Sequence, residues 1–338
     1  LTTIYDIAKK TGYSPTTVSK AFNNYSDVRA KTREEILRTA RELGYLPNAH
    51  ARTLTTKKSW TLGVLFVEGT GAGIRHPFFG AVIESFKQIA VDKGYALMFI
   101  SKDVGGKQSG YLENCRIHGV DGVVVFLSDY DDPYFLELLE SNIPMVILDY
   151  ETPKSHTVCS DNMAGAMMAV DYLTSLGHSR IAHISGGVNT VPGNQRQEGY
   201  VAAMKRNGNE LREEYIVEGE FYVLENGYSA MQKLLALPER PTAVFASGDM
   251  LALGAMMAAK DSGLSVPGDI SVMGYDDIEL ARYVTPALST VRQDTATLGI
   301  RAAEVLLASV DRKGNGMEAI VLPVEVVVRE SCAPPGEK

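Results

Sequence analysis

Two short amphipathic runs joined through Gly12 and Ser14-Pro15 constrain the start of this chain more tightly than any other feature. Ile4, Ile7 and Ala8 make one apolar helical face, and Gly12 ends it. Ser14 followed by Pro15 reads as a helix start: a side-chain cap, then a ring whose φ already suits the first turn. Val18, Ala21 and Phe22 face inward at i, i+3 and i+4, which leaves Thr16, Ser19, Lys20 and Asn23 on the outer face. Thr32-Arg33-Glu34-Glu35 predicts a capping box that opens a third helix, with Ile36, Leu37, Ala40 and Leu43 inside and Gly44 at its end. Three short helices, the second with a small, polar, partly cationic outer face, suit insertion into a DNA major groove.

Further on, Asn48 follows Pro47 and caps a helix of one or two turns that ends near Leu54. A helix so short is unstable alone in water and orders only against a partner. Two copies from a dimer, lying in a minor groove with Leu54 wedged into a base step, supply that partner. Ile4-Tyr5-Asp6-Ile7-Ala8, Thr16-Thr17-Val18-Ser19 and Tyr45-Leu46-Pro47-Asn48-Ala49 together carry a specific resemblance to the LacI/GalR family of transcription regulators, from Thr3 to about Arg329.

The resemblance implies an α/β chain with a three-helix helix-turn-helix domain over 1–46, a hinge helix and linker over 47–58, and a core over 59–330. That core is two-lobed and periplasmic-binding-protein-like, with parallel sheets. Lobe 1 then takes about 59–160 and 292–320, lobe 2 about 161–291 and 321–330, with crossovers near 160, 291 and 321 and a tail over 331–338. A homodimer on a two-fold symmetric double-stranded operator is implied as well. Pro15, Thr16 and Lys20 are expected at base edges, and Tyr5, Thr17, Ser19, Asn23 and Asn48 at phosphates, with Thr3 at the same interface. Ala51 keeps the hinge helix close to the minor groove, and Leu54 kinks the central step.

Charge follows the same division. Residues 1–58 carry a net +6 and the remainder −14, within −8 overall. A basic head on an acidic body confines phosphate contact to one end. The length of 338 residues suits a small domain plus a two-lobed core. Cys115, Cys159 and Cys332 have no paired or metal-type spacing, which fits a reducing cytoplasm. No apolar run is long enough to span a bilayer, and the chain starts on DNA-binding residues rather than a signal peptide. A soluble, cytoplasmic protein with no membrane partner is expected.

From Thr61, buried-type runs such as Leu62–Val67, Val120–Leu127, Ile181–Ser185 and Ala243–Ala246 alternate with helical stretches. The alternation predicts parallel sheets in two sets, with a ligand bound beyond the carboxyl ends of the strands. Asp149, Asp249, Asp276 and Asp277 all follow such runs. Carboxylates accept hydrogen bonds in pairs from sugar hydroxyls, Arg196 offers a fork of donors, and Phe78, Phe79 or Phe221 can stack on a sugar face. Asp249 serves equally as a helix cap, Asp277 as a solvated or turn-capping carboxylate, and one of Phe78 and Phe79 as core. The resemblance places the effector pocket at Phe79, Asp149, Arg196, Phe221, Gly248, Asp276 and Gln293. Gly248 stands where the family often has Asn or Asp, which removes a polar contact and leaves room. Purine-binding members match this chain around Arg240–Asp249 and Ala281–Leu288, but carry basic and hydroxyl residues at Thr190 and Pro192. The expected protein is a repressor controlled by a sugar or sugar derivative, with a purine or a protein co-regulator as the alternative.

Other chemistry is not spelled out. Neither register of Gly69–Gly73 completes G-x-G-x-x-G, and residues 101–108 miss a P-loop at Ser101 and Gln108. Cys115-x-x-His118 is half a metal site with no second half, and no G-x-S-x-G is present. No catalytic residue, metal or cofactor is expected. Pro334-Pro335 and the lack of a leucine heptad argue against a C-terminal coiled coil.

Overall fold

The structure, a computed structural model, describes residues 2–23, 25–45, 58–67, 73–187, 190–311 and 316–336. The expected hinge, with Asn48, Ala51 and Leu54, lies outside the described residues, as do 68–72 of the glycine-rich loop. The chain divides into two compact units, 1–61 with 119–121, and the rest.

In the first unit α1 (Ile4–Thr11), α2 (Pro15–Phe22) and α3 (Ala30–Glu42) enclose Ile7, Val18, Ala21, Val28, Ile36 and Ala40. Gly12 ends α1 at φ 76°, a conformation that costs a side-chain-bearing residue energy. The Ser14 hydroxyl accepts from the Thr17 N–H at 3.1 Å, so the start of α2 is capped as its sequence predicts. The third helix differs from expectation. It begins at Ala30 with Arg29 at its cap position, so Thr32 lies inside the helix and caps nothing. Val28, buried in the core, and the Arg33 guanidinium, which donates to the Tyr25 carbonyl at 2.6 Å, hold the chain in place for this earlier start. Thr39 rather than Leu37 is buried, because 36, 39 and 40 share one face and 37 is a quarter turn off it.

From Thr61 on, the chain forms β1 (Thr61–Phe66), α4 (Pro77–Asp92), β2 (Ala96–Phe99), a small hairpin of β3 (Asp103–Val104) and β4 (Lys107–Gln108), α5 (Tyr111–His118) and β5 (Gly122–Leu127). Next come α6 (Pro133–Leu139), β6 (Met145–Leu148), β7 (His156–Ser160), α7 (Asn162–Ser175), β8 (Ile181–Ser185), α8 (Val191–Arg206) and β9 (Ile216–Glu218). The series ends with α9 (Leu224–Leu235), β10 (Ala243–Ala246), α10 (Asp249–Asp261), β11 (Ser271–Asp276), β12 (Ser289–Arg292), α11 (Thr295–Val310), β13 (Ala319–Leu322) and β14 (Glu325–Val327).

Two six-stranded sheets result, in the orders β13-β7-β6-β5-β1-β2 and β14-β12-β11-β10-β8-β9. Parallel ladders run through β1, β5, β6, β7 and β13 in one and β9, β8, β10, β11 and β12 in the other. β14 pairs antiparallel, on β12. Each sheet is the centre of one lobe, and its central strands are buried because helices cover both faces. The chain passes between lobes after β7, after β12 and after β13. Ladder pairing keeps Arg292 in the second lobe and Val321-Leu322 in the first, one or two residues beyond the expected boundaries.

Residues 331–333 are not a tail. Ser331 is fully buried; its hydroxyl donates to the Val272 carbonyl at 2.6 Å and accepts from the Ser289 N–H at 2.8 Å. The Ala333 carbonyl accepts from the Ser271 hydroxyl at 3.1 Å, so the segment is stitched onto the second sheet.

Candidate functional site

Thr16, Ser19 and Lys20 on α2 and Asn23 at its C-cap recur at i, i+3, i+4 and i+7, away from buried Val18 and Ala21, with Pro15 in the first turn. Thr16 is exposed, and Tyr5 on α1 is 68% exposed. Three of the expected contacts already have local partners. Lys20 Nζ pairs with Asp27 at 2.5 Å, Asn23 Nδ2 donates to the Ser19 carbonyl at 3.0 Å, and the Thr3 hydroxyl donates to Asp6 at 2.8 Å. Hydrogen bonding to Asp27 raises the Lys20 ammonium pKa, so this side chain stays cationic. Thr17 supplies the N–H capped by Ser14.

The carboxyl ends of both sheets open onto a cavity of about 870 Å³ between the lobes. Phe79, Asp149, Arg196, Phe221 and Asp276 all line it. Arg196 is its organising group, with a side chain only 4% exposed. Its Nε donates to Asn162 at 2.9 Å, its Nη1 donates to the Ser247 carbonyl at 2.6 Å and lies 3.7 Å from Asp276, and the guanidinium covers the Tyr275 ring at 3.8 Å. Across the cleft, the His76 Nε2–H donates to the Tyr222 carbonyl at 3.1 Å. Asp149, Glu220 and Asp276 hold positive φ of 55°, 50° and 121°. Such backbone is costly for a residue with a side chain and persists where the surroundings impose it.

Asp149 Oδ1 is buried without a hydrogen-bond partner. Burial pushes this carboxyl up to about 6, although Arg196 pulls the other way. The folded value lies above that of an unfolded aspartate, so the group's contribution falls as pH rises from about 4 toward 6 and stays low above that. At neutral pH its ionised form costs the ligand-free fold on the order of 3 kcal/mol. Asp149→Asn should therefore raise the melting temperature at pH 7 and change it little at pH 4. Equal melting temperatures at pH 7 would show that the carboxylate is not strained.

The other named positions play different parts. Gln293 is 3% exposed and does not line the cavity; it stands behind Asp276, donating from Nε2 to Oδ1 at 2.7 Å from the segment that leaves β12. Gly248 leaves no room, because a Cβ there would lie 2.7 Å from the Tyr222 ring. Asp249 is fully buried, neither cap nor ligand contact: it accepts from the Thr290 hydroxyl at 2.5 Å and the Ile278 N–H at 2.8 Å. Asp277 is not solvated. Its side chain is 1% exposed between Arg292 and Arg329. Phe78 is the core ring of its pair, 6% exposed, while Phe79 packs on Phe66 and His76. Sequence reasoning missed His76 and Tyr222. Neither belongs to a motif, and Tyr222 adjoins the more conspicuous Phe221. Among the described residues no group of side chains is arranged to hold a metal ion, and no helix is long and apolar enough to cross a membrane.

Residues 3–48 match the profile of bacterial regulatory proteins of the lacI family, and residues 170–332 that of the periplasmic binding protein-like domain. The HTH-type transcriptional repressor PurR of Erwinia tasmaniensis is 38% identical over 98% of this chain and 97% of its own length. The probable HTH-type transcriptional repressor ExuR of Bacillus subtilis is 37% identical over 98% of both. Among solved structures, the lac repressor dimer bound to operator and the anti-inducer ONPF superposes with a TM-score of 0.85 at 29% identity, covering 98% of this chain and 99% of that one. The complex of the transcriptional regulator CelR with cellobiose gives 0.72 at 28% identity, covering 98% and 100%. These relatives are regulators rather than enzymes, and the chain belongs to the lacI family of bacterial regulatory proteins as a DNA-binding transcriptional repressor.

Proposed function

We propose that this repressor acts in the cytoplasm as a homodimer on a two-fold symmetric operator, and that a sugar or sugar derivative in the interlobe cleft controls its hold on DNA. The observation that carries the effector reading is the meeting of Asp149, Arg196 and Asp276 at the strand ends, with Asp149 Oδ1 lacking a donor. An uncharged polyol supplies donors to such carboxylates and acceptors to the guanidinium. Thr190 and Pro192 bring no cation: the Thr190 hydroxyl caps Gly193 N–H at 3.1 Å, and Pro192 sits in the first turn of α8. A purine is the second reading, favoured by the aromatic rings of Phe79, Phe221 and Tyr222 around the cavity.

Thermal unfolding of the full chain against monosaccharides, disaccharides, sugar phosphates and purines separates these readings, since only a ligand of the native state raises the melting temperature. A selective rise with a sugar supports the first reading and one with a purine the second. No rise with any compound shifts control to a protein co-regulator.

On the DNA side, Lys20 and Thr16 are assigned to base edges. Lys20→Ala is then expected to cost about 1–3 kcal/mol on the preferred operator and far less on a variant altered at one base pair of each half-site. Equal losses on every sequence, with a shallower salt dependence, would make Lys20 a phosphate contact.

A further inference from the structure

Tyr222 occupies a seat built from two glycines. Gly186 follows β8 and Gly248 follows β10, and these two strands are paired neighbours in the second sheet. A Cβ on Gly186 would lie 2.1 Å from the phenol Cζ and 2.2 Å from the hydroxyl oxygen, and one on Gly248 would lie 2.7 Å from Cδ1. Neither glycine needs its freedom at positive φ; Gly248 sits at φ −160°, open to any residue. What both positions require is space, and the Tyr222 ring takes it.

The ring lies over the carboxyl ends of two parallel strands, where ligands of such sheets bind, and the Arg196 guanidinium carbon stands 5.8 Å from its centroid. Its hydroxyl is buried and has no hydrogen-bond partner. The Thr190 hydroxyl, which donates to the Gly187 carbonyl at 2.9 Å and accepts from Gly193 N–H, lies close by but makes no hydrogen bond of acceptable geometry with the phenol. A buried phenol left without a partner is unfavourable, and the cost is relieved when a ligand group arrives.

We infer that Tyr222, seated on Gly186 and Gly248, is a specificity-determining residue of the cleft: its ring forms the floor, and its hydroxyl hydrogen-bonds the effector. The hydroxyl part rests on the effector reading above, whereas the seat does not. A residue with a Cβ at either glycine displaces the ring, so the polar side chain missing at Gly248 and the phenol at Tyr222 are alternatives for one volume.

Two measurements on the full chain test this. In the first, Gly186→Ala and Gly248→Ala are made in the wild type and in Tyr222→Ala, and thermal unfolding is followed without ligand. Each alanine should lower the melting temperature in the wild type. In Tyr222→Ala it should be neutral or raise it, because the clash is gone and alanine restricts the unfolded chain. Equal losses in both backgrounds overturn the seat. In the second, Tyr222→Phe is titrated with glucose, ribose, cellobiose and hypoxanthine. Whichever probe stabilises the wild type should bind the variant about threefold to tenfold more weakly, with the ligand-free melting temperature kept or raised. Equal affinity overturns the hydroxyl's role. If no probe stabilises the wild type, the effector reading and the hydroxyl assignment both fail, and the first measurement alone decides the seat.

Discussion

Arg196→Met is expected to destabilise the ligand-free protein by about 3–5 kcal/mol and to leave operator binding indifferent to effector. The size follows from what the guanidinium serves. It is 4% exposed, satisfies Asn162 and the Ser247 carbonyl, covers Tyr275, and is the cation facing Asp276 and Asp149. Methionine fills much of the volume but strands two buried carboxylates beside each other, and they respond by taking up protons. Arg196→Lys separates charge from geometry. An ammonium keeps the positive charge but cannot donate in one plane to both Asn162 and the Ser247 carbonyl while lying flat on Tyr275. The lysine variant should therefore recover part of the stability and remain at least about tenfold weaker for effector. Urea unfolding and the anisotropy of a labelled operator, with and without effector, read both properties. A methionine variant of wild-type stability would mean that Arg196 does not neutralise the cleft.

How much of this is legible in the sequence depends on whether a feature is local. Val146-Ile147-Leu148 followed by Asp149 is a buried strand with a carboxylate at its end, and the end of a parallel strand is where a cleft forms. Ser14-Pro15 holds its helix start, since cap and ring act within one turn. Thr32-Arg33-Glu34-Glu35 carries equally good local chemistry, yet the helix starts before it, because Val28 is drawn into the core from outside the motif. The fate of Asp277 depends on Arg292 and Arg329, distant in sequence and delivered by two other passages of the chain. Gly248 reads as a missing polar group, and only the folded chain shows the phenol of Tyr222 lying over it. Gln293 carries the correct partner, Asp276, but approaches it from behind.

Asp277→Asn should cost about 3 kcal/mol although it changes one atom and preserves the shape. The carboxylate accepts from Arg292 Nε at 2.7 Å and Arg329 Nη2 at 2.5 Å, with Arg282 a further 3.7 Å contact. Asparagine suits the test, since the residue stands at φ 58° and this side chain tolerates the left-handed region better than most. Burial would by itself raise the carboxyl's pKa, but hydrogen bonds from Arg292 and Arg329 hold it below the usual range. A depressed folded value stabilises the protein above about pH 4 and is lost as pH falls through it, so the wild type should weaken more steeply in acid than Asp277→Asn. The two curves should stand furthest apart at neutrality and draw together as pH falls below the ordinary carboxylate range; parallel curves would show that the carboxylate's charge is not the stabilising feature. The location matters for control as well as stability. Asp276 faces the cleft, Asp277 grips Arg292 at the end of β12 just before the chain crosses to the first lobe, and Gln293 in that crossing segment holds Asp276. Loosening Asp277 thus frees a strand end that the cleft carboxylate depends on. The variant's effector affinity should fall along with its stability, whereas operator affinity without effector should change less.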